Sequence, residues 1–264
     1  MGAGGLVVKS PLTRLCSAVV GYMSDNIRMA IEASHYTAAL GILRRVLVWL
    51  KTTGRDAEGI LDASALSNVC LRLLTYISKD LVYGSVEGSG LLAAHACECL
   101  TWLVAHGDSK ILKMSASAQG MEKVVTRDQL GRAFLFHEIA RVSEQGIFTK
   151  LSSHAAADAA KGGGMGEAAA LLTNELASVT FVADHVTAAI IKWTEDNPNE
   201  VSPSPPMILS VVSASLASLT MDARTDLLNE PALRASAGRG EEDKVLRMLV
   251  EGYRGSVRVL PTAL

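Results

Sequence analysis

Apolar side chains return at steps of three and four along most of the chain, the spacing of one face of an α-helix. Ala39, Ile42, Leu43, Val46 and Leu50 make the first clear stripe, and Gly54 ends it. Leu66, Val69, Cys70, Leu73, Ile77 and Leu81 make the second, with Asp62 placed to cap its start and Gly84 to stop it. Leu92, Ala96, Cys99, Leu100 and Leu103 make the third. It ends at His106-Gly107, where an imidazole and then a glycine suit the carbonyl-rich helix terminus. A helix over 126–145 follows, with Leu130, Phe134, Ile139 and Val142 as its expected inward side chains and Gly146 as its stop. An alanine-rich helix over 151–161 leads to the break at Gly162-Gly163-Gly164. Leu172, Leu176, Val179, Ala183, Val186, Ile190 and Trp193 then alternate steps of four and three, a heptad-like stripe that predicts packing near about +20° on a neighbouring helix. This long helix is expected to end at Asp196-Asn197-Pro198, and the polar, proline-rich 199–206 predicts an exposed loop or hinge. Helices over 206–220 and after Glu241-Glu242-Asp243 complete the pattern, and no stretch predicts a strand.

The first three stripes echo one another. Leu47-Val48-Trp49-Leu50, Leu74-Thr75-Tyr76-Ile77 and Leu100-Thr101-Trp102-Leu103 lie 27 and then 26 residues apart. A unit of that length is about 20 helical residues, roughly 30 Å, plus a short connection, so successive helices should run antiparallel. The recurring aromatic lies off the main stripe, which gives each helix a second apolar face, as a helix packed on both sides needs. This architecture resembles armadillo- and HEAT-type solenoids, in which no unit buries its apolar surface alone. The resemblance covers about residues 35 to 107, carries none of those families' consensus residues, and implies a concave surface that holds other proteins. A multi-helix bundle is the alternative, and bundles of the vinculin or talin type suit the Ala- and Ser-rich helices between 151 and 220. The expected fold is therefore all-α, roughly nine to eleven helices, with a repeat-like domain over 1–198 and C-terminal helices over 199–264 packed on it.

Composition supports helices packed closely through small side chains. Hydrophobic residues make up 49% of the 264, charged residues 20% and aromatics only 5%, enough apolar material for a continuous core and too little aromatic content for a typical sheet. The net charge is −2, divided as 0 over 1–108, +3 over 109–150 and −5 over 151–264. Neither imbalance approaches the dense Lys/Arg clustering of a nucleic-acid footprint, so no nucleic-acid partner is expected. The longest strongly apolar run, Met207 to Leu219, is interrupted by serines and too short to span a bilayer, so no membrane insertion is expected. Four cysteines, two of them at Cys97 and Cys99 on one helix, do not make a disulfide framework and point to a reducing, cytoplasmic setting. Residues 1–24 lack acidic side chains and carry Lys9 and Arg14, which keeps a mitochondrial transit segment as the alternative. Gly2 is not a myristoylation signal, because Leu6 stands where a Ser or Thr is needed.

Candidate chemistry is sparse. His95 and Cys99 share a helical face four residues apart, but Cys97 points elsewhere and no second ligand cluster completes a tetrahedral set, so no metal is expected. Lys161 to Gly166 is glycine-rich before a helix, yet it lacks the Gly-Lys-Ser/Thr ending of a phosphate loop and follows a helix, which leaves a flexible connection and no cofactor. His137-Glu138 and Asp184-His185 are sequence neighbours that point to different sides of their helices, whereas His154 and Asp158 share a face and are expected to meet as a surface hydrogen bond. None of these matches a catalytic signature, so the chain is read as no enzyme; a helical-bundle enzyme or ligand binder, with a pocket holding His137, His154 or His185, is kept as an alternative.

Binding is the function left. Arg44 and Arg45, together in an otherwise apolar helix, and Lys110, Lys113 and Lys123 in the basic middle region are the candidate partner-binding residues, lining a groove for an acidic segment. Thr262-Ala263-Leu264 has the form of a PDZ-binding tail, a pattern short enough to arise by chance. The expected function is a non-catalytic protein–protein interaction scaffold or adaptor subunit. Its alternative is a structural subunit of a large, possibly mitochondrial, assembly.

Overall fold

Ser10 opens the first helix: its hydroxyl accepts the Thr13 N–H at 3.1 Å, and Pro11 occupies the first helical position, where its missing N–H costs nothing. The computed structural model describes residues 10–27, 33–53, 60–106 and 127–199, together with 203–204, 207–209, 247 and 251. Among the described residues there is no strand, and besides the helical residues 207–209, 247 and 251 eight helices are defined: α1 (Pro11–Asn26), α2 (Ala33–Thr53), α3 (Ala63–Ile77), α4 (Asp80–Ser85), α5 (Ser89–His106), α6 (Arg127–Glu144), α7 (Ile147–Ala159) and α8 (Gly163–Asp196). The fold is all-helical, as the periodicity predicts.

The helices form a bundle around α5. Its Ala93, Ala94, Ala96, Cys97, Cys99 and Leu100 are fully buried, and this collar of small side chains lets α2, α3 and α8 all pack against it. α8 in turn packs on α6 and α7, and α3 packs on α6, so one core joins all the long helices. The heptad-like stripe of α8 is the seam: Leu172, Leu176, Val179, Ala183, Val186 and Trp193 are buried and Ile190 is packed against the core. By length and composition α8 is the one helix among the described residues that would suffice to cross a membrane; here its apolar stripe is taken up by its neighbours.

Several expected boundaries hold. Asp62 caps α3 by accepting the Ala65 N–H at 2.9 Å. Gly146 follows α6 with φ +70° and Gly162 precedes α8 with φ +70°, a left-handed region where glycine avoids the Cβ clash. Others shift. Lys79 takes an extended ψ of 127° and ends the α3 direction, so a short α4 intervenes before α5. Leu81, expected on the α3 stripe, lies on α4 with 88% of its surface exposed, and Gly84 falls inside α4 in place of stopping a helix. Phe134, expected to face inward, is 67% exposed. The inward arc of α6 is Leu135, Phe136, Ile139, Ala140 and Val142, and Phe134, one residue or about 100° before Leu135, falls outside it.

α1 has no counterpart among the expected elements. Its Leu12, Cys16 and Met23 are fully buried, so much of the 1–24 segment considered for targeting is a core helix. Beyond α8, Ile208 and Leu209 are buried in the same core. Gly54, Gly107, Leu130's side chain, most of the 199–206 loop, most of 206–220, the Glu241-Glu242-Asp243 helix start and the C-terminal tripeptide lie outside the described residues.

Candidate functional site: a cleft between α3 and α6

α3 has two working faces. Leu66, Val69, Cys70, Leu73 and Ile77 are buried toward the core, while Asn68, Leu71, Arg72, Thr75 and Tyr76 turn toward α6. On α6 the matching stripe is Phe134, Leu135, Glu138, Arg141, Val142 and Gln145, again at helical spacing. Between these faces lies a cleft of about 550 Å³, with Ile27, just past α1, and Lys79 also among its lining residues.

Its floor is apolar and its two rims differ in charge. Leu71, Leu135 and Val142 form the buried floor, and Phe134 stands exposed beside them. On the α6 rim, Arg141 holds Glu138 with both carboxylate oxygens, Nε at 3.1 and 3.0 Å and Nη2 at 2.5 Å, so those charges cancel locally. Glu138 correspondingly raises the Arg141 guanidinium above its ordinary value. On the α3 rim, Arg72 and Lys79 are both exposed; Arg72 donates to the neutral Ser24 hydroxyl at 3.3 Å, and the Lys79 ammonium lies 5.6 Å from the centre of the Tyr76 ring. The α3 rim is cationic and the α6 rim is neutral.

Of the five residues expected to bind a partner, Arg44 and Arg45 lie among the described residues. Arg44 turns inward from α2 to α5: its Nε is 2.5 Å from Glu98 Oε2, and its Nη1 donates to His95 Nε2 at 2.8 Å. An arginine has no acceptor, so His95 must accept at Nε2 and carry its proton on Nδ1. Burial, and then the guanidinium, hold His95 down to about 3, so it is neutral. Burial raises the Glu98 carboxyl above its ordinary range, against the pull of Arg44. Arg45 is half-buried on α2, and Lys110, Lys113 and Lys123 lie outside the described residues. The Arg44–His95–Glu98 cluster also occupies the His95 nitrogen considered for a metal. Cys97 and Cys99 are fully buried, with burial the first cause of the raised Cys97 thiol and contact with Cys70 the first cause for Cys99. Among the described residues no group of His, Cys, Asp and Glu is placed to hold a metal ion.

The His154–Asp158 pair expected on α7 is divided between other partners. His154 stacks on Tyr83 from α4, ring centres 4.4 Å apart and 11° from parallel, and its Nε2 faces Asp80 at 3.4 Å. Asp158 is buried and accepts from Lys161 at 2.7 Å, while burial and then the nearby Asp158 carboxylate raise the Tyr83 hydroxyl well above its ordinary value. His137 is exposed on α6, and His185 on α8 packs on Phe181 with its Nδ1 3.0 Å from the Phe181 carbonyl oxygen. None of these three histidines lines the cleft.

The cleft itself was not anticipated, although one signal for it exists in the sequence. Arg72 and Tyr76, four residues apart, lie on the side of α3 away from its apolar stripe, and Lys79 follows two residues past the end of α3. The chain matches no family model, no curated protein and no solved structure.

Proposed function

We propose that the protein is a non-catalytic interaction module, a scaffold or adaptor subunit, that receives a helical segment of another protein in the α3–α6 cleft. The observation that carries this reading is the cleft's make-up: a buried aliphatic floor beside a phenylalanine with 67% of its surface exposed. An exposed aromatic next to a concave apolar strip is the composition of a binding hot spot, because its burial on association removes a large apolar area from water. Two helices lying side by side also offer the ridge-and-groove surface on which a third helix packs.

The bundle supplies the rigid frame for this surface. An armadillo- or HEAT-like stack is a finer reading favoured by the Trp49, Tyr76 and Trp102 echo, but α5 packs on α2, α3 and α8 together, and α4 breaks the one-helix, one-loop unit. We therefore read the binding surface as a cleft of a bundle. Four cysteines without a disulfide fit a reducing compartment.

The reading is tested with a photoreactive phenylalanine analogue at position 134 and, as control, at Ile191 on α8, which is also exposed. In living cells the 134 probe is expected to crosslink a discrete protein, and Leu71→Arg at the cleft floor is expected to abolish that crosslink. Equal crosslinking from 134 and 191, or a crosslink indifferent to Leu71→Arg, sinks the proposal.

A further inference from the structure

The charge asymmetry of the cleft says what the partner helix looks like, and this inference rests on the cleft being the binding site. The geometry points to an amphipathic helix with an acidic edge, docked with that edge along α3 and its apolar side against Leu71 and Phe134. On the α6 rim the Glu138 carboxylate is already matched by Arg141, so an added carboxylate there meets no unbalanced cation. On the α3 rim, Arg72 is hydrogen-bonded among the described residues only to a neutral hydroxyl, and Lys79 rests against an aromatic face, so both can meet a carboxylate without breaking an ion pair among those residues. Aspartate or glutamate on the partner is thus drawn to one side of the cleft and not to the other.

The spacing of the two cations adds a ruler. Arg72 lies on α3 and Lys79 two residues past its end at Ile77, so the two cations stand roughly 10 Å apart along the helix direction. A partner helix lying along α3 presents carboxylates with that same separation at positions i and i+7. Positions i+4 and i+8 lie roughly 40° and 80° round the helix from i, beside that edge, and meet the apolar floor. The recognised pattern is therefore acidic–x–x–x–apolar–x–x–acidic–apolar, with the acidic edge and the apolar side adjacent. A second copy of this chain, another segment of the same chain, or a helix of different charge are the competing occupants.

The test uses the full chain and a fluorescein-labelled peptide of about 20 residues, stapled on its outer face as a helix, with Glu at i and i+7 and Leu at i+4 and i+8. A charge-inverted peptide carries Lys in place of both Glu. Anisotropy is expected to show saturable binding of the acidic peptide, weakened by added salt. Reversing both rim charges, Arg72→Glu with Lys79→Glu, is expected to weaken it about tenfold, the combined effect of two exposed charge pairs turned from attraction to repulsion. The same variant is expected to bind the charge-inverted peptide more tightly than the unaltered chain does. Both substituted side chains are exposed, so circular dichroism and melting should match the parent.

Equal binding of both peptides, each lost with Phe134→Ala, overturns the acidic partner while leaving the cleft as the site. Binding of neither peptide while the position 134 crosslink persists also overturns it. Binding of neither peptide without that crosslink overturns both readings. Concentration-dependent self-association that Phe134→Ala abolishes identifies a second copy as the occupant and overturns the inference.

Discussion

Glu98 is the one charged residue in α5, and it faces Arg44 on α2, with side-chain exposures of 19% and 14%. Two opposing effects act on this pair. Attraction at contact distance is on the order of 4 kcal/mol at the effective dielectric of a partly wet site, and removal of both groups from water costs a comparable amount. The raised Glu98 carboxyl shows that burial outweighs the pull of Arg44, so the pair makes little net contribution to stability while each member needs the other. Arg44→Met is accordingly expected to cost about 3 kcal/mol, the low end for a broken buried pair because some solvent reaches it. Adding Glu98→Leu should recover most of that loss, since no charge is then left behind. Urea denaturation of the two single variants and the double gives the coupling directly. Additive losses would show that Arg44 acts through packing of its stem alone.

At the scale of helices, Gly41 in the middle of α2 and Gly90 in the first turn of α5 are expected to respond oppositely to alanine. A Cβ at Gly41 of α2 meets nothing within 4 Å, so Gly41→Ala should raise stability by about 0.5–1 kcal/mol through lower backbone entropy in the unfolded chain. A Cβ at Gly90 of α5 comes within 2.9 Å of the Tyr83 hydroxyl oxygen, and the Tyr83 ring is held by its stack on His154. Gly90→Ala should therefore lower stability, by about 1 kcal/mol or more, and melting temperatures of the two variants moving in the same direction would refute the contrast. The same distinction separates what the sequence makes legible from what it does not. Caps and stripes depend on neighbours in the chain, so Asp62, Gly146 and the Leu172-to-Trp193 seam can be read directly. Phe134 misleads because a one-residue change of phase turns a side chain by about 100°, and apolar content alone does not fix the phase. The cleft needs α3 and α6 side by side, and Arg44 needs Glu98 from across the core, relations that no local period carries. Both leave a trace nonetheless: a lone acid amid the apolar residues of α5, and two cations, Arg72 on the outer face of α3 and Lys79 just past its end.

For the molecule as a whole, the polar cluster inside the bundle ties global stability to pH. His95 is neutral in the fold because burial and Arg44 hold it down to about 3, whereas in the unfolded chain it returns to its ordinary value of 6.5. The unfolded state thus binds more protons between those limits. The stabilisation from His95 is fully present above pH 6.5 and is lost as pH falls through the window down to about 3, with a slope of at most about 1.4 kcal/mol per pH unit. Glu98 acts in the opposite sense: its carboxyl is raised in the fold, so it takes up a proton earlier there than in the unfolded chain and partly offsets the loss on acidification. Comparing the parent with His95→Gln separates the two. Glutamine keeps an acceptor for the Arg44 guanidinium and cannot titrate, while Glu98 remains in both chains. Denaturation curves at pH 7, 5.5 and 4 should show the parent losing more stability on acidification than His95→Gln does. Parallel pH profiles for the two chains would mean that His95 can take a proton without opening the α2–α5 interface, and would remove this cluster as the reason the bundle weakens in acid.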